Sequence, residues 1–209
     1  MNPNSYVERR GKIEDYFDRT AVQAWARLTS DAPVGRIRTT VRAGRDRMRA
    51  TLLGWLPADL TGLLVLDAGC GTGALAVEAA RRGAQVLAID LSPALVDLAR
   101  DRQPAALTSE HSIGRIDFRS GDMLDPALGE FDRMVGMDLL IHCQTADAVR
   151  VVVGLAQRTR RSMLFTYAPS NPGLVAFRAI GRLLPRGYRA PWIDFQQTWT
   201  RVGLRFAVR

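Results

Sequence analysis

The sequence predicts an α/β protein, a doubly wound and mostly parallel sheet behind an N-terminal helical cap, on three observations. From Leu63 onward, short apolar runs alternate with amphipathic runs of helix length. A glycine-rich turn, Gly69-Cys70-Gly71-Thr72-Gly73, follows the first apolar run and leads into a helix. Upstream of Pro57, by contrast, apolar residues recur only at helical spacing. Strand, glycine turn, helix and strand in that order make a Rossmann-like unit, with ligands expected at the carboxyl ends of the strands.

Residues 1–57 form the expected cap or lid across that edge. A first helix is expected from about Val7 to Leu28, on Tyr16, Phe17, Val22, Trp25 and Leu28. Asp31-Ala32-Pro33 separates it from a second, Val34 to Trp55, whose buried side is expected to carry Ile37, Val41, Met48 and Leu52. Pro57 and Gly62 mark the boundary with a second unit, residues 58–209. Its first strand is Leu63–Asp67, nearly all apolar, as suits a strand covered on both faces. A helix follows over Ala74–Arg82, stopped by Gly83, then a strand over Gln85–Asp90. Ser92-Pro93, a cap residue and a first-turn proline, opens a helix to about Arg102. Strands are expected at Arg115–Ser120, Arg133–Asp138 and Ser162–Tyr167, with a helix at Thr145–Gln157. A last helix, Leu174–Leu184, lies in what reads as an insertion over residues 174–190.

With 209 residues, 47% of them apolar and 24% charged, the chain suits a single well-formed core. No apolar run approaches the roughly 18 residues of a membrane span. The first thirty residues mix acids and bases without an apolar block, so no secretory leader is expected. Cys70 and Cys143 read as free thiols in a reducing cytoplasm. The net charge of +8 is unevenly spread. Residues 1–57 hold 11 bases against 6 acids, residues 58–140 hold 7 against 13, and residues 141–209 hold 11 against 2. Basic flanks around an acidic centre suggest an anionic partner. They lack the aromatic and basic interleaving of RNA readers, so no nucleic acid is expected.

The glycine turn selects the cofactor. Its spacing is G-x-G-x-G rather than the dinucleotide G-x-G-x-x-G, and Asp67 precedes it at the strand's end. A carboxylate there repels a pyrophosphate and attracts a ligand with an ammonium and a sulfonium. S-adenosylmethionine carries both; NAD carries neither. Asp90 ends the second strand, where an acid accepts from both ribose hydroxyls. Asp122 and Met123, after the third strand, are placed to accept from the adenine amine and to cover its ring. The full candidate cofactor set is Asp67, Gly69, Cys70, Gly71, Gly73, Asp90, Leu91, Asp122, Met123 and Asp138. Singly, each acid could cap a helix or serve a turn. Together at successive strand ends they point to a class I methyltransferase.

Three further segments carry a more specific likeness: Asp15-Tyr16-Phe17-Asp18-Arg19-Thr20 with Trp25, Asp138-Leu139-Leu140-Ile141-His142, and Phe165-Thr166-Tyr167-Ala168-Pro169. With the glycine turn they resemble the magnesium-protoporphyrin IX O-methyltransferases of chlorophyll and bacteriochlorophyll biosynthesis, over roughly residues 7–190. The resemblance implies methylation of one porphyrin propionate, with S-adenosylmethionine as co-substrate and magnesium entering only inside the substrate. No resident metal is expected. It implies a catalytic role for His142, which on its own reads more simply as a structural loop histidine. It also implies a functional tyrosine where this chain has Thr29. The magnesium chelatase large subunit is an implied partner, and peripheral contact with a photosynthetic membrane is a further expectation. Tyr16, Trp25, Arg38 and Arg42 are the candidate substrate contacts. Arg38, Arg42, Arg45 and Arg49 share one face of the second helix. Its plain reading is a solvated face, and its functional one a basic rim for a dianionic tetrapyrrole. Where the family adds final strands, this chain has Asp194–Trp199 and then Arg209, so its C-terminal strands are expected to be truncated or divergent. A methyltransferase for another small molecule, such as a quinone precursor, is the alternative.

Overall fold

A computed structural model of the protein describes residues 10–11, 14–15, 17–18, 22–29, 35–109, 111–143 and 145–167. The expected helix Leu174–Leu184, the insertion around it, the Asp194–Trp199 segment and Tyr16 lie outside them.

Among the described residues, five parallel strands form one sheet: β1 Leu64–Ala68, β2 Gln85–Asp90, β3 Arg115–Ser120, β4 Phe131–Gly136 and β5 Thr159–Phe165, in the order β3-β2-β1-β4-β5. Parallel neighbours need crossovers. Three of them are helices: α3 Ala74–Arg81 joins β1 to β2, α4 Pro93–Asp101 follows β2, and α5 Thr145–Ala156 joins β4 to β5. The chain winds one way from β1 to β3 and then returns to β4 on β1's other edge. That reversal opens a crevice beyond the carboxyl ends of β1 and β4.

Alternation along β1 feeds two cores. Val65 packs with Leu75, Val86, Val96 and Phe118 on one face. Leu66 packs with Ile89, Met134, Val151 and Met163 on the other. Two helices of the cap are described from end to end, α1 Val22–Leu28 and α2 Arg36–Trp55. The last turn of α2 joins the first core through Leu52, Leu53 and Leu56. Arg82 ties it there, donating to Leu53 O at 2.6 Å and Pro57 O at 3.3 Å. One guanidinium nitrogen shared between two carbonyls fixes where the cap leaves the sheet.

Two strands differ from expectation at both ends. β4 runs Phe131–Gly136 rather than Arg133–Asp138, and β5 runs Thr159–Phe165 rather than Ser162–Tyr167. Phe131 is buried and pairs with Thr159, while charged Asp132, Arg133, Arg160 and Arg161 conceal both starts in the sequence. Those charges pair across the strands, Arg133 Nη1 donating to Ser162 Oγ and Arg161 facing Asp132 at 3.4 Å. The expected buried side of α2 also needs correction: Leu52 is buried, but Val41 is exposed. α2 turns arginines toward the protein along its middle instead.

Candidate functional site

The first wall of the site is built by the strand ends. Gly69, Gly71 and Gly73 all have left-handed backbone, with φ of 73°, 53° and 78°. At Gly73 a side chain would also meet the Phe118 ring at 2.8 Å, so this glycine serves the turn and its packing. The Gly69 and Cys70 N–H groups donate to Ile89 O at 2.8 and 3.0 Å, holding the turn against β2. Asp90 completes the hold, its Oδ2 accepting from Gly71 N at 2.8 Å and its Oδ1 from Ser92 N at 3.0 Å. Ser92 caps α4 as expected, its Oγ accepting from Leu95 N at 3.2 Å.

Asp67 is buried, and its Oδ2 has no hydrogen-bond partner. Burial first, and the neighbouring Asp90 second, push its carboxyl up to about 7, against the pull of the Ala76 N–H. Burial likewise raises Asp90. The same burial, with both carboxylates nearby, holds the Cys70 thiol protonated and removes it as a nucleophile. An acidic pocket with an unpartnered buried oxygen suits a ligand that brings a cation.

The second wall comes from the cap. Arg45 lies 4.3 Å from the centre of the Trp25 ring and donates to Asp138 Oδ2. Asp138 is the one described non-glycine residue with left-handed backbone, φ 60°, and its N–H donates to Thr166 Oγ1 at 2.7 Å. Phe17 packs on Trp25, with ring centres 6.0 Å apart. Arg42 Nη2 donates to Arg27 O at 2.8 Å, and Arg49 pairs with Asp46 at 2.8 Å. Thr29, where the resemblance implies a tyrosine, donates to Trp25 O and accepts from Arg102 Nη1, each within 2.8 Å.

Between the walls lies a cavity of about 310 Å³. Of the expected cofactor residues, Asp67, Gly69, Cys70, Gly71, Asp90, Leu91, Met123 and Asp138 line it. Gly73 does not, for the packing reason above. Nor does Asp122: its Oδ2 accepts from Arg10 at 2.8 Å and its Oδ1 from Leu124 N at 2.9 Å, while Gly121 and Met123 take the wall. Of the expected substrate contacts, Trp25 and Arg42 line the cavity, and Arg38 is exposed away from it. His142 closes a short turn, Leu140–His142, after β4, and its side chain lies outside the described residues. The sequence reading missed Phe17, Arg45, Arg49, Leu139 and Asp147 as lining residues. The arginine face was the available signal; Arg42, Arg45 and Arg49 turn inward, so the solvated reading fails for three of its four members.

Fold and cavity define a class first, a doubly wound methyltransferase, and the family described as "Methyltransferase domain" matches residues 65–161. A second family, "Magnesium-protoporphyrin IX methyltransferase C-terminus", matches residues 136–200. The chain is 52% identical over 190 residues to a magnesium-protoporphyrin O-methyltransferase of Rhodobacter capsulatus, covering 90% of this chain and 83% of that one. It is 35% identical over 195 residues to a ubiquinone biosynthesis O-methyltransferase of Xanthomonas oryzae, covering 90% and 77%. The solved magnesium protoporphyrin IX methyltransferase of Synechocystis with bound SAH superposes with a TM-score of 0.75 at 31% identity, covering 85% of this chain and 80% of that one. The chain belongs to the magnesium-protoporphyrin O-methyltransferase family.

Proposed function

We infer that the chain transfers the methyl group of S-adenosyl-L-methionine to a propionate carboxylate of magnesium protoporphyrin IX. The products are the monomethyl ester and S-adenosyl-L-homocysteine. One observation carries this beyond family membership: a single cavity has an acidic wall at Asp67 and Asp90 and a basic wall at Arg42, Arg45 and Arg49. A cationic methyl donor suits the first and an anionic acceptor the second.

S-adenosylmethionine supplies an electrophilic methyl group on a sulfonium. Asp67 would hold the donor's cationic end, since its buried Oδ2 lacks a partner. Asp90 spends one oxygen on each of two backbone N–H groups and keeps further lone pairs for the ribose hydroxyls. Leu91 and Met123 cover the ring between them. The acceptor needs no strong base, because a propionate, with an ordinary pKa near 4.3, is already an anion at pH 7. What remains is alignment and exclusion of water, which together can lower a barrier by about 7–11 kcal/mol. Trp25 and Phe17 supply the apolar cover, and His142, in the turn after β4, is the residue we assign to hold the reacting carboxylate. Magnesium arrives inside the substrate.

No helix among the described residues is long and apolar enough to cross a membrane. The basic flanks support peripheral contact with an anionic surface and delivery of the porphyrin by the chelatase large subunit.

The test is transfer from labelled S-adenosylmethionine to magnesium protoporphyrin IX beside a panel of phenolic quinone precursors. The phenolic reading has the 35% identical ubiquinone-pathway relative in its favour. Faster turnover on the porphyrin supports the assignment. Donor binding with turnover only on a phenol overturns it.

A further inference from the structure

Arg45 combines three properties that Arg42 and Arg49, on the same helix, do not share. Its guanidinium sits over the Trp25 ring, 4.3 Å from its centre. Its side chain is only 20% exposed, and burial lowers its pKa. Its one acidic hydrogen-bond partner is a side chain, Asp138, itself 19% exposed and also on the cavity wall. Arg42 instead donates to a backbone carbonyl, and Arg49 is paired with half-exposed Asp46 on its own helix. A desolvated guanidinium that sits over a ring and already holds one carboxylate is shaped for any carboxylate that reaches it.

Which carboxylate follows from the chemistry. Hydrogen bonds from a guanidinium draw electron density from carboxylate oxygens and occupy their lone pairs. A propionate in Arg45's fork is therefore a poor nucleophile toward a methyl group. We propose that Arg45 receives the propionate that is not methylated, by exchanging Asp138 for the substrate carboxylate, and so acts as the specificity residue that limits the reaction to one ester. The exchange replaces one carboxylate by another at the same donors, so no charge is left buried alone on the arginine. Asp138, released, stays on the cavity wall. This rests on the porphyrin reading above and adds the assignment of the second propionate.

The experiment compares two substrates and two variants. Magnesium protoporphyrin IX is set beside a magnesium porphyrin with a single propionate, using wild type, Arg45→Met and Arg45→Lys. Binding of S-adenosylhomocysteine is measured on each to show that the variant folds and keeps its donor site. Arg45→Met is expected to raise KM for the dicarboxylate by roughly ten- to a hundredfold, the range for a lost charged hydrogen bond. Its effect on the monocarboxylate should be at least about tenfold smaller, and diester should appear among the dicarboxylate products. Arg45→Lys, which keeps charge but not the fork, should fall between. Equal KM changes on both substrates, with monoester as the sole product, overturn the proposal. Wild type that fails on both porphyrins overturns the functional reading instead. If Arg45→Met does not bind S-adenosylhomocysteine, Arg45→Lys alone decides, by the same ratio.

Discussion

The wall contributed by the sheet and the wall contributed by the cap differ in sign and in origin along the chain. The acidic wall is local in its construction. Asp67 and Gly69–Gly71 are neighbours in sequence, and Asp90 reaches back only 19 residues to bond Gly71. The basic wall is assembled from far pieces, with Arg45 meeting Asp138 across 93 residues and Arg10 meeting Asp122 across 112. The first wall is held by backbone geometry that any doubly wound sheet provides. The second is held by side chains that only this chain's cap provides. The donor side is thus generic and the acceptor side particular, as expected when function is grafted onto a shared fold.

Separability of the two walls is the part most open to attack, and Asp67 gives the largest effect. Asp67→Ala should weaken S-adenosylmethionine binding by roughly a hundredfold, and calorimetry reads it directly. The wild-type affinity should also depend on pH. The Asp67 carboxyl sits at about 7 in the folded protein against an ordinary 3.8, so the folded state holds that proton more tightly than the unfolded chain. Its contribution to stability is full at low pH and is lost as pH rises from about 4 to about 7. A bound cation favours the carboxylate, so donor affinity moves the opposite way, climbing up to about tenfold per pH unit below 7 and levelling above it. Asp67→Asn should flatten that climb. An unchanged slope would assign the proton elsewhere and break the contrast between the walls.

His142, in the turn after β4, comes next. His142→Ala should lower kcat by up to about a hundredfold, the scale of a small misplacement of reacting groups. S-adenosylhomocysteine affinity should stay within about twofold of wild type. A matching loss of donor affinity would move His142 onto the acidic wall. Arg38 marks the small end. Exposed and off the cavity, it should change porphyrin KM by less than about twofold when replaced by alanine, within the range of ordinary surface substitutions. A tenfold rise would extend the basic wall one turn further along α2.

The same contrast explains what could be read without coordinates. β2 and β3 were legible residue for residue, and β1, α3 and α4 to within one at each end, because their signals are local: apolar runs, glycines and a Ser-Pro cap. The acidic wall was legible for the same reason. The starts of β4 and β5 were not, since Arg133 and Arg161 find partners on the neighbouring strand and Arg160 finds Glu130 just before it, contacts a sequence does not announce. Nothing in the sequence around Asp122 announces its ion pair with Arg10, 112 residues away. Arg45 was seen only as one of four arginines on a helix face. Its ring, its acid and its burial all belong to contacts that helical periodicity does not encode.

One feature of the sheet sets a timescale for all of this. β1 is hydrogen-bonded on both edges over Val65–Asp67, to β2 on one side and β4 on the other. Its amides can exchange with deuterium only when the whole sheet parts, whereas those of the outer turns of α2 can exchange by fraying. Pulse labelling should therefore show Val65–Asp67 among the slowest described residues and Arg38–Arg42 among the fastest, with bound S-adenosylhomocysteine slowing the former further. On the proposed assignment the donor would be anchored to the last element to open and the acceptor to one of the first. A rigid macrocycle would then be exchanged by loosening the cap while the sheet keeps its grip.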